Sequence, residues 1–266
     1  MTRLSLVREF WDETPCDGQT SYAFRARLRY GKEPWLQPTL VRIATTYHNI
    51  LEVGCGQGTD GVTLCQLMAA GGTYTGVDMS AVSLHSARAA AEEMAGQLHV
   101  KPVFLLDNAE QLSFADNTFD CVVSVGALHH SESTERAVAE VRRVLAPGGV
   151  TFVCLYRTLS PKVLAAHALR ALQRCIDGAL RQERSLYKIT RSLRAGHNWG
   201  TALDECFGVP ILRSYTGREM RMLFRNFASL SLSSHGVGLP PLGINRWIEG
   251  SGSNALGYLW LAEAMK

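Results

Sequence analysis

Residues 49–64 read NILEVGCGQGTDGVTL. A short apolar run carries an acid near its end, three glycines alternate with small residues, and a second apolar run starts beyond Asp60. The first run has the length of a buried strand, and the second has helical spacing. Glycine supplies the backbone shapes that a tight turn between them needs. Such a turn lets the main chain approach a ligand closely, and the helix behind it offers unpaired N–H groups. The spacing departs from the GxGxxG dinucleotide pattern: after Gly56 the next glycine is Gly58, one position too early.

The same alternation continues outward. TYTGVD (73–78), VFLL (103–106), FDCVVSV (119–125) and GGVTFVCLY (148–156) read as further strands. SAVSLHSARAAAEEMA (80–95) is a helix opened by a serine cap, and ESTERAVAEVRRVLAPGG (132–149) is another, closed by Pro and Gly. TGREMRMLFRNF (216–227) is helical, and FASLSLSSH (227–235) and ALGYLWLAEAMK (255–266) are closing strands. Strand–helix alternation implies a doubly wound α/β fold, with a mostly parallel sheet of about seven strands covered on both faces. Four parts are expected: an N-terminal helical lid (1–48), a ligand-binding core (49–156), a helical insertion that caps the substrate (157–215) and the closing helix and strands (216–266).

Within the insertion, residues 160–195 form one long helix or two. Leu164, Ala168, Leu172, Cys175, Ile176 and Ala179 repeat at helical spacing, against Arg170, Arg174, Arg181, Arg184, Arg191 and Arg194. This reads either as an apolar stripe packed inward under a solvated basic face, or as a surface for an anionic substrate or membrane. HGVGLPPLGINRWIEGSGSN (235–254) reads as a mobile loop beside the pocket.

Bulk properties narrow the classes. The 266 residues suffice for one large α/β domain, and 46% hydrophobic with 19% charged residues is a globular composition. A net charge of +3 gives no reason to expect a nucleic-acid partner. No apolar run is long enough to span a membrane, and the N-terminus lacks a signal-peptide pattern. Seven scattered cysteines without a CxxC pair fit buried, reduced thiols of a cytoplasmic protein, and no metal-ligand spacing occurs. The oligomeric state stays open.

Two acids set the chemistry. Glu52 stands just before the glycine loop, where a carboxylate repels a pyrophosphate but attracts an ammonium. Asp78 ends the second strand, where an acid accepts hydrogen bonds from ribose hydroxyls. The ligand therefore has a ribose and a cationic end, and needs no phosphate. S-adenosylmethionine meets these conditions.

ILEVGCGQGTD, TGVDMS, DNAEQLSFADNTFDCVVSVGALHH and EVRRVLAPGGVTFV, in this order, resemble the class I S-adenosylmethionine-dependent methyltransferases of the type 11, UbiE-like kind. The resemblance implies a Rossmann-like methyltransferase fold. It implies that Gly54, Cys55, Gly56, Gly58 and Thr59 face the methionine part of the cofactor with Glu52 near it, and that Asp78 binds the ribose. It further implies that Met79 packs on the adenine, that Asn108 and Ala109 meet its edge, and that Val125 lies beside the cofactor at the end of the fourth strand. FWDETPC and YGKEPWLQP resemble the N-terminus of a bacterial subgroup of mostly unassigned substrate.

His129 and His130 follow the fourth strand; each is a candidate general base, or else shapes the site by packing. Arg27 and Tyr30 are candidates for the methionine carboxylate, and Tyr30 for a place at the reacting centre. Phe10, Trp11, Tyr22, Tyr30 and Trp35 belong to a lid or anchor an N-terminal helix. The expected reaction is methyl transfer to a small molecule, releasing S-adenosylhomocysteine. The rival is cyclisation or transfer of the aminocarboxypropyl arm, releasing methylthioadenosine. A non-catalytic nucleoside-binding module is disfavoured by the intact acids, and a nicotinamide dehydrogenase by the loop spacing and Glu52.

Overall fold

The structure, a computed structural model, describes residues 3–15, 21–191, 204–237 and 254–266. Strand β1 (Asn49–Val53) pairs in parallel with β2 (Thr73–Asp78) on one side and β4 (Phe119–Val125) on the other. β3 (Val103–Leu106) lies outside β2, and β5 (Leu145–Tyr156) outside β4, both parallel. β7 (Leu259–Met265) runs antiparallel between β5 and β6 (Ser229–His235), giving the order β3-β2-β1-β4-β5-β7-β6. The chain winds one way from β1 to β3 and returns to the other side of β1 with β4. That reversal opens a crevice at the carboxyl ends of β1 and β4, where open α/β sheets bind ligands.

Alternation along each strand feeds two apolar layers. Ile50, Phe104, Cys121 and Phe152 join one cluster, while Leu51, Val77, Val122 and Val153 join the other. Helices α3 (Leu36–Thr46) and α4 (Thr59–Leu67) cover the first layer, with Leu40, Ile43 and Leu64 buried at helical spacing. α6 (Thr134–Val144) and α9 (Gly217–Leu223) cover the second through Val138, Val141 and Met220. α5 (Ala81–Glu93) starts at Ser80, whose side chain accepts from the Ser83 N–H. α1 (Arg3–Glu13) and α2 (Tyr22–Lys32) complete the N-terminal helices.

The helix expected over 132–149 is shorter. It ends at Val144, and β5 begins at Leu145, taking in Ala146, Pro147 and both glycines. Pro147 disfavours helical geometry at Ala146, and Gly148 has φ +77°. The insertion holds two helices, α7 (Pro161–Leu180) and α8 (Ser185–Arg191).

The orientation of α7 corrects the inward-stripe expectation. Leu164, Ala168, Leu172, Cys175 and Ala179 face solvent, and Ile176 is half-buried. The inward face carries Val163, Ala166 and Gln173, with Arg170 beside them. Arg170 donates to the Val209 carbonyl (2.7 Å) and Gln173 to that of Phe207 (3.0 Å). The turn Asp204–Gly208 and the segment after it present these carbonyls, and buried carbonyls need donors. Arg194 and most of the expected mobile loop lie outside the described residues, as does Cys16. The six described cysteines are free thiols, four of them buried.

Candidate functional site

The crevice is a pocket of about 1160 Å³ including its open mouth. Glu52, Gly54, Cys55, Gly56, Thr59, Asp78, Met79, Asn108, Ala109 and Val125 all line it. Its three loop glycines serve different ends. A Cβ at Gly54 would sit 2.1 Å from the Ala127 Cβ, so this glycine admits the β4 loop. One at Gly58 would lie 2.8 Å from the Ala87 Cβ, so Gly58 lets α5 pack against the loop and does not line the pocket. Gly56, at φ +51°, has open space where its Cβ would stand, and so has Gly126 at φ +82°. Both line the pocket, and this is the cradle.

Asp78 holds that cradle in shape. One carboxylate oxygen accepts from the Gly56 N–H (2.8 Å) and the other from the Ser80 N–H (2.9 Å). Burial raises its pKa, and the same N–H donors pull the other way. Glu52 is almost fully buried and accepts a hydrogen bond from the Tyr74 hydroxyl. Burial, then the charge of Asp60, pushes its carboxyl up to about 8, against the Tyr74 bond and the Arg29 guanidinium. Asp60 is itself buried and pairs with Arg29 (Nε to Oδ1, 2.6 Å).

At the other end, Asp107 accepts from the Asn108 N–H (2.8 Å) and from both the N–H and hydroxyl of Ser113. The Asn108 side chain accepts from the Glu110 N–H (3.0 Å), so it also stabilises the turn that presents it.

α1 presents Leu4, Val7 and Trp11 to the pocket. It is tied at both ends: the Leu4 N–H donates to Glu132 (2.7 Å), and Ser80 donates its hydroxyl to Asp12 (2.7 Å). Spacings of three and four residues put the three apolar side chains on one helical face. That signal was present in the sequence, as was the Arg25 and Arg29 pair on α2, which also reaches the pocket.

Other expectations change. Tyr30 does not line the pocket; its hydroxyl bonds Asp60 (3.1 Å) and Thr63 (2.7 Å) in the layer beneath α2. Arg27 lies over the Phe24 ring, beside a different surface cavity. Of the five aromatics, Trp11 alone lines the pocket, with its ring 5.3 Å from that of His130. Phe10 packs on Tyr187, Tyr22 bonds Thr63 and Gln66, and Trp35 stacks on His235, so these three, with Tyr30, anchor helices.

The two histidines separate. His129 is fully buried outside the pocket lining, its ring 3.8 Å from that of Tyr156 and 4.2 Å from that of His130. Neither of its nitrogens has a hydrogen-bond partner among the described residues, and burial drives its pKa well down, so the ring stays neutral. His130 lines the pocket and sets its Nδ1 2.7 Å from the Ile211 carbonyl. A carbonyl only accepts, so Nδ1 carries the hydrogen and Nε2 is the acceptor in the neutral ring. The described part of the insertion does not line the pocket. It reaches it through Ile211 behind His130 and Tyr187 behind Phe10. No cluster that could hold a metal occurs among the described residues.

Residues 51–153 match the family model of a methyltransferase domain. A probable methyltransferase of Aspergillus luteorubrus is 36% identical over 107 residues, covering 38% of this chain and 37% of that protein. A demethylmenaquinone methyltransferase of Symbiobacterium thermophilum is 37% identical over 108 residues, covering 40% and 41%. The chain thus spans less than half the length of the first curated relatives it matches. Among solved structures, a SAM-dependent methyltransferase of Thermotoga maritima, described as a possible histamine N-methyltransferase, superposes with a TM-score of 0.60 at 16% identity. It covers 98% of this chain and 99% of that one, a likeness of fold.

Proposed function

We propose that this chain, whose residues 51–153 match a methyltransferase-domain model, transfers a methyl group from S-adenosylmethionine to a small-molecule acceptor. The observation that carries this reading is one pocket holding Glu52 and Asp78 around a cradle kept open at Gly56 and Gly126. A pyrophosphate there would face a buried carboxyl group. A ribose would find at Asp78 an acceptor whose two oxygens each have lone-pair capacity beyond the N–H they already hold. Glu52 would face the cationic end of the methionine part, beside Gly54, Cys55 and Thr59. Met79 would pack on the base, with Asn108 and Ala109 at its edge, and Val125 would lie beside the cofactor.

When bound, S-adenosylmethionine supplies an electrophilic methyl carbon on sulfur. The chain's own task is to hold an acceptor in line with that carbon and keep water out. α1 roofs the site with Leu4, Val7 and Trp11, and Leu128 adds to the same apolar wall. An acceptor with an apolar body suits that wall, and the Symbiobacterium relative is named for a quinone. His130, which lines the pocket, would take an acceptor proton on Nε2, with the Ile211 carbonyl holding the ring in that tautomer.

The test is incubation with isotope-labelled S-adenosylmethionine, with and without candidate acceptors, and mass spectrometry of the nucleoside product. S-adenosylhomocysteine together with a labelled acceptor supports methyl transfer. Methylthioadenosine moves the chemistry to the aminocarboxypropyl arm and overturns the reading.

A further inference from the structure

The outward face of α7 has no part in the pocket. We propose that it docks the protein on an anionic lipid bilayer, with the helix lying in the headgroup layer. Leu164, Ala168, Ala171, Leu172, Cys175 and Ala179 fall three or four residues apart and so form one face. All are exposed, no charged residue interrupts them, and Leu164 and Leu172 are each 51% exposed. The helix cannot roll to bury this stripe. Its opposite face is fastened through Arg170 to Val209 and through Gln173 to Phe207, and Gln173 also accepts from the Tyr187 N–H.

Charge selects the occupant. Residues 159–191 contain seven Lys and Arg against two acids, whereas the whole chain nets only +3. The segment is therefore locally basic, even with Arg170 turned to the inward face and Lys162 over the Tyr258 ring. Arg174 beside the stripe, Arg181 just past the end of α7, and Lys188 on α8 are all exposed. Two copies meeting on this face would bring like charges together, which opposes a dimer. An anionic leaflet offers the complementary charge and an apolar layer beneath it for the leucines. No helix among the described residues is long and apolar enough to cross a membrane, so α7 lies on the surface. The surface is joined to the site, because Tyr187 of α8 packs on Phe10 of α1, the helix that roofs the pocket.

The experiment uses the full chain with vesicles of phosphatidylcholine alone or with phosphatidylglycerol added, at low and high salt. Sedimentation should recover the protein with the anionic vesicles, with binding falling on added salt and roughly tenfold weaker on neutral ones. Leu164→Glu/Leu172→Glu should lose at least about tenfold in vesicle affinity with an unchanged circular dichroism spectrum, since both side chains stand half in solvent. In a Cys16→Ser/Cys206→Ser background, an environment-sensitive fluorophore on Cys175 should shift to the blue on anionic vesicles. Equal binding by the double variant, no preference for the anionic vesicles, or a dimer in light scattering that the double variant converts to monomer would overturn the proposal.

Discussion

Glu52→Gln tests the electrostatics of the pocket without changing its shape. The glutamine carbonyl can still accept from Tyr74, but the group can no longer ionise. In the folded chain the Glu52 carboxyl is raised from 4.5 to about 8 by burial and by Asp60. A raised carboxyl binds its proton more tightly folded than unfolded. Its contribution to stability is therefore complete below the unfolded pKa and is lost as pH rises towards the folded one. Each pH unit inside that window is worth about 1.36 kcal/mol. Between pH 5 and 7 the wild type should therefore lose roughly 2–3 kcal/mol relative to Glu52→Gln. The assay is urea unfolding of both proteins at half-unit pH steps, taking the difference so that other titrating groups cancel. S-adenosylhomocysteine should partly close the gap, because its ammonium favours the ionised carboxylate, and its stabilisation of the wild type should exceed that of the variant at pH 7. Parallel stability curves across pH 5 to 7 would refute the reasoning, since they would mean that Glu52 titrates near its ordinary value.

Three further outcomes follow from individual contacts. Asp78→Asn should weaken S-adenosylhomocysteine binding roughly 10- to 100-fold in calorimetry, while circular dichroism shows the fold retained through the remaining acceptor for Gly56 or Ser80. Gly61→Ala places a methyl group 2.0 Å from the hydroxyl of the buried Tyr74. It should lower unfolding stability by about 1–3 kcal/mol and push Tyr74 off Glu52, whereas an unchanged denaturation midpoint would show that Tyr74 yields freely. His130→Asn keeps a donor for the Ile211 carbonyl but removes Nε2. With an acceptor that must lose a proton, turnover should fall by roughly 10²–10⁴ with S-adenosylhomocysteine affinity unchanged, and unaltered turnover would reduce His130 to packing.

Local chemistry was enough to place the core of the molecule. NILEV, TYTGVD, VFLL and FDCVVSV are strands with the bounds read from the sequence, because short runs rich in apolar and β-branched residues stand between turn and helix signals; what the runs did not tell is that VFLL is an edge strand, with Val103, Leu105 and Leu106 exposed. The glycines marked the turn, and Glu52 and Asp78 end in one pocket because parallel strands carry their carboxyl ends to the same edge. What the pattern left undecided was direction. The stripe on α7 has the spacing of a buried face, yet it points outward, because carbonyls near residue 208 claim the donors on the other side. His129 and His130 are neighbours in a turn, yet one is enclosed by Tyr156 and the other is turned into the pocket by Ile211. Tyr30 is taken by Asp60 and Thr63, so Arg25 and Arg29 of the same helix reach the pocket in its place. Periodicity states which residues share a face; only partners distant along the chain determine what that face meets.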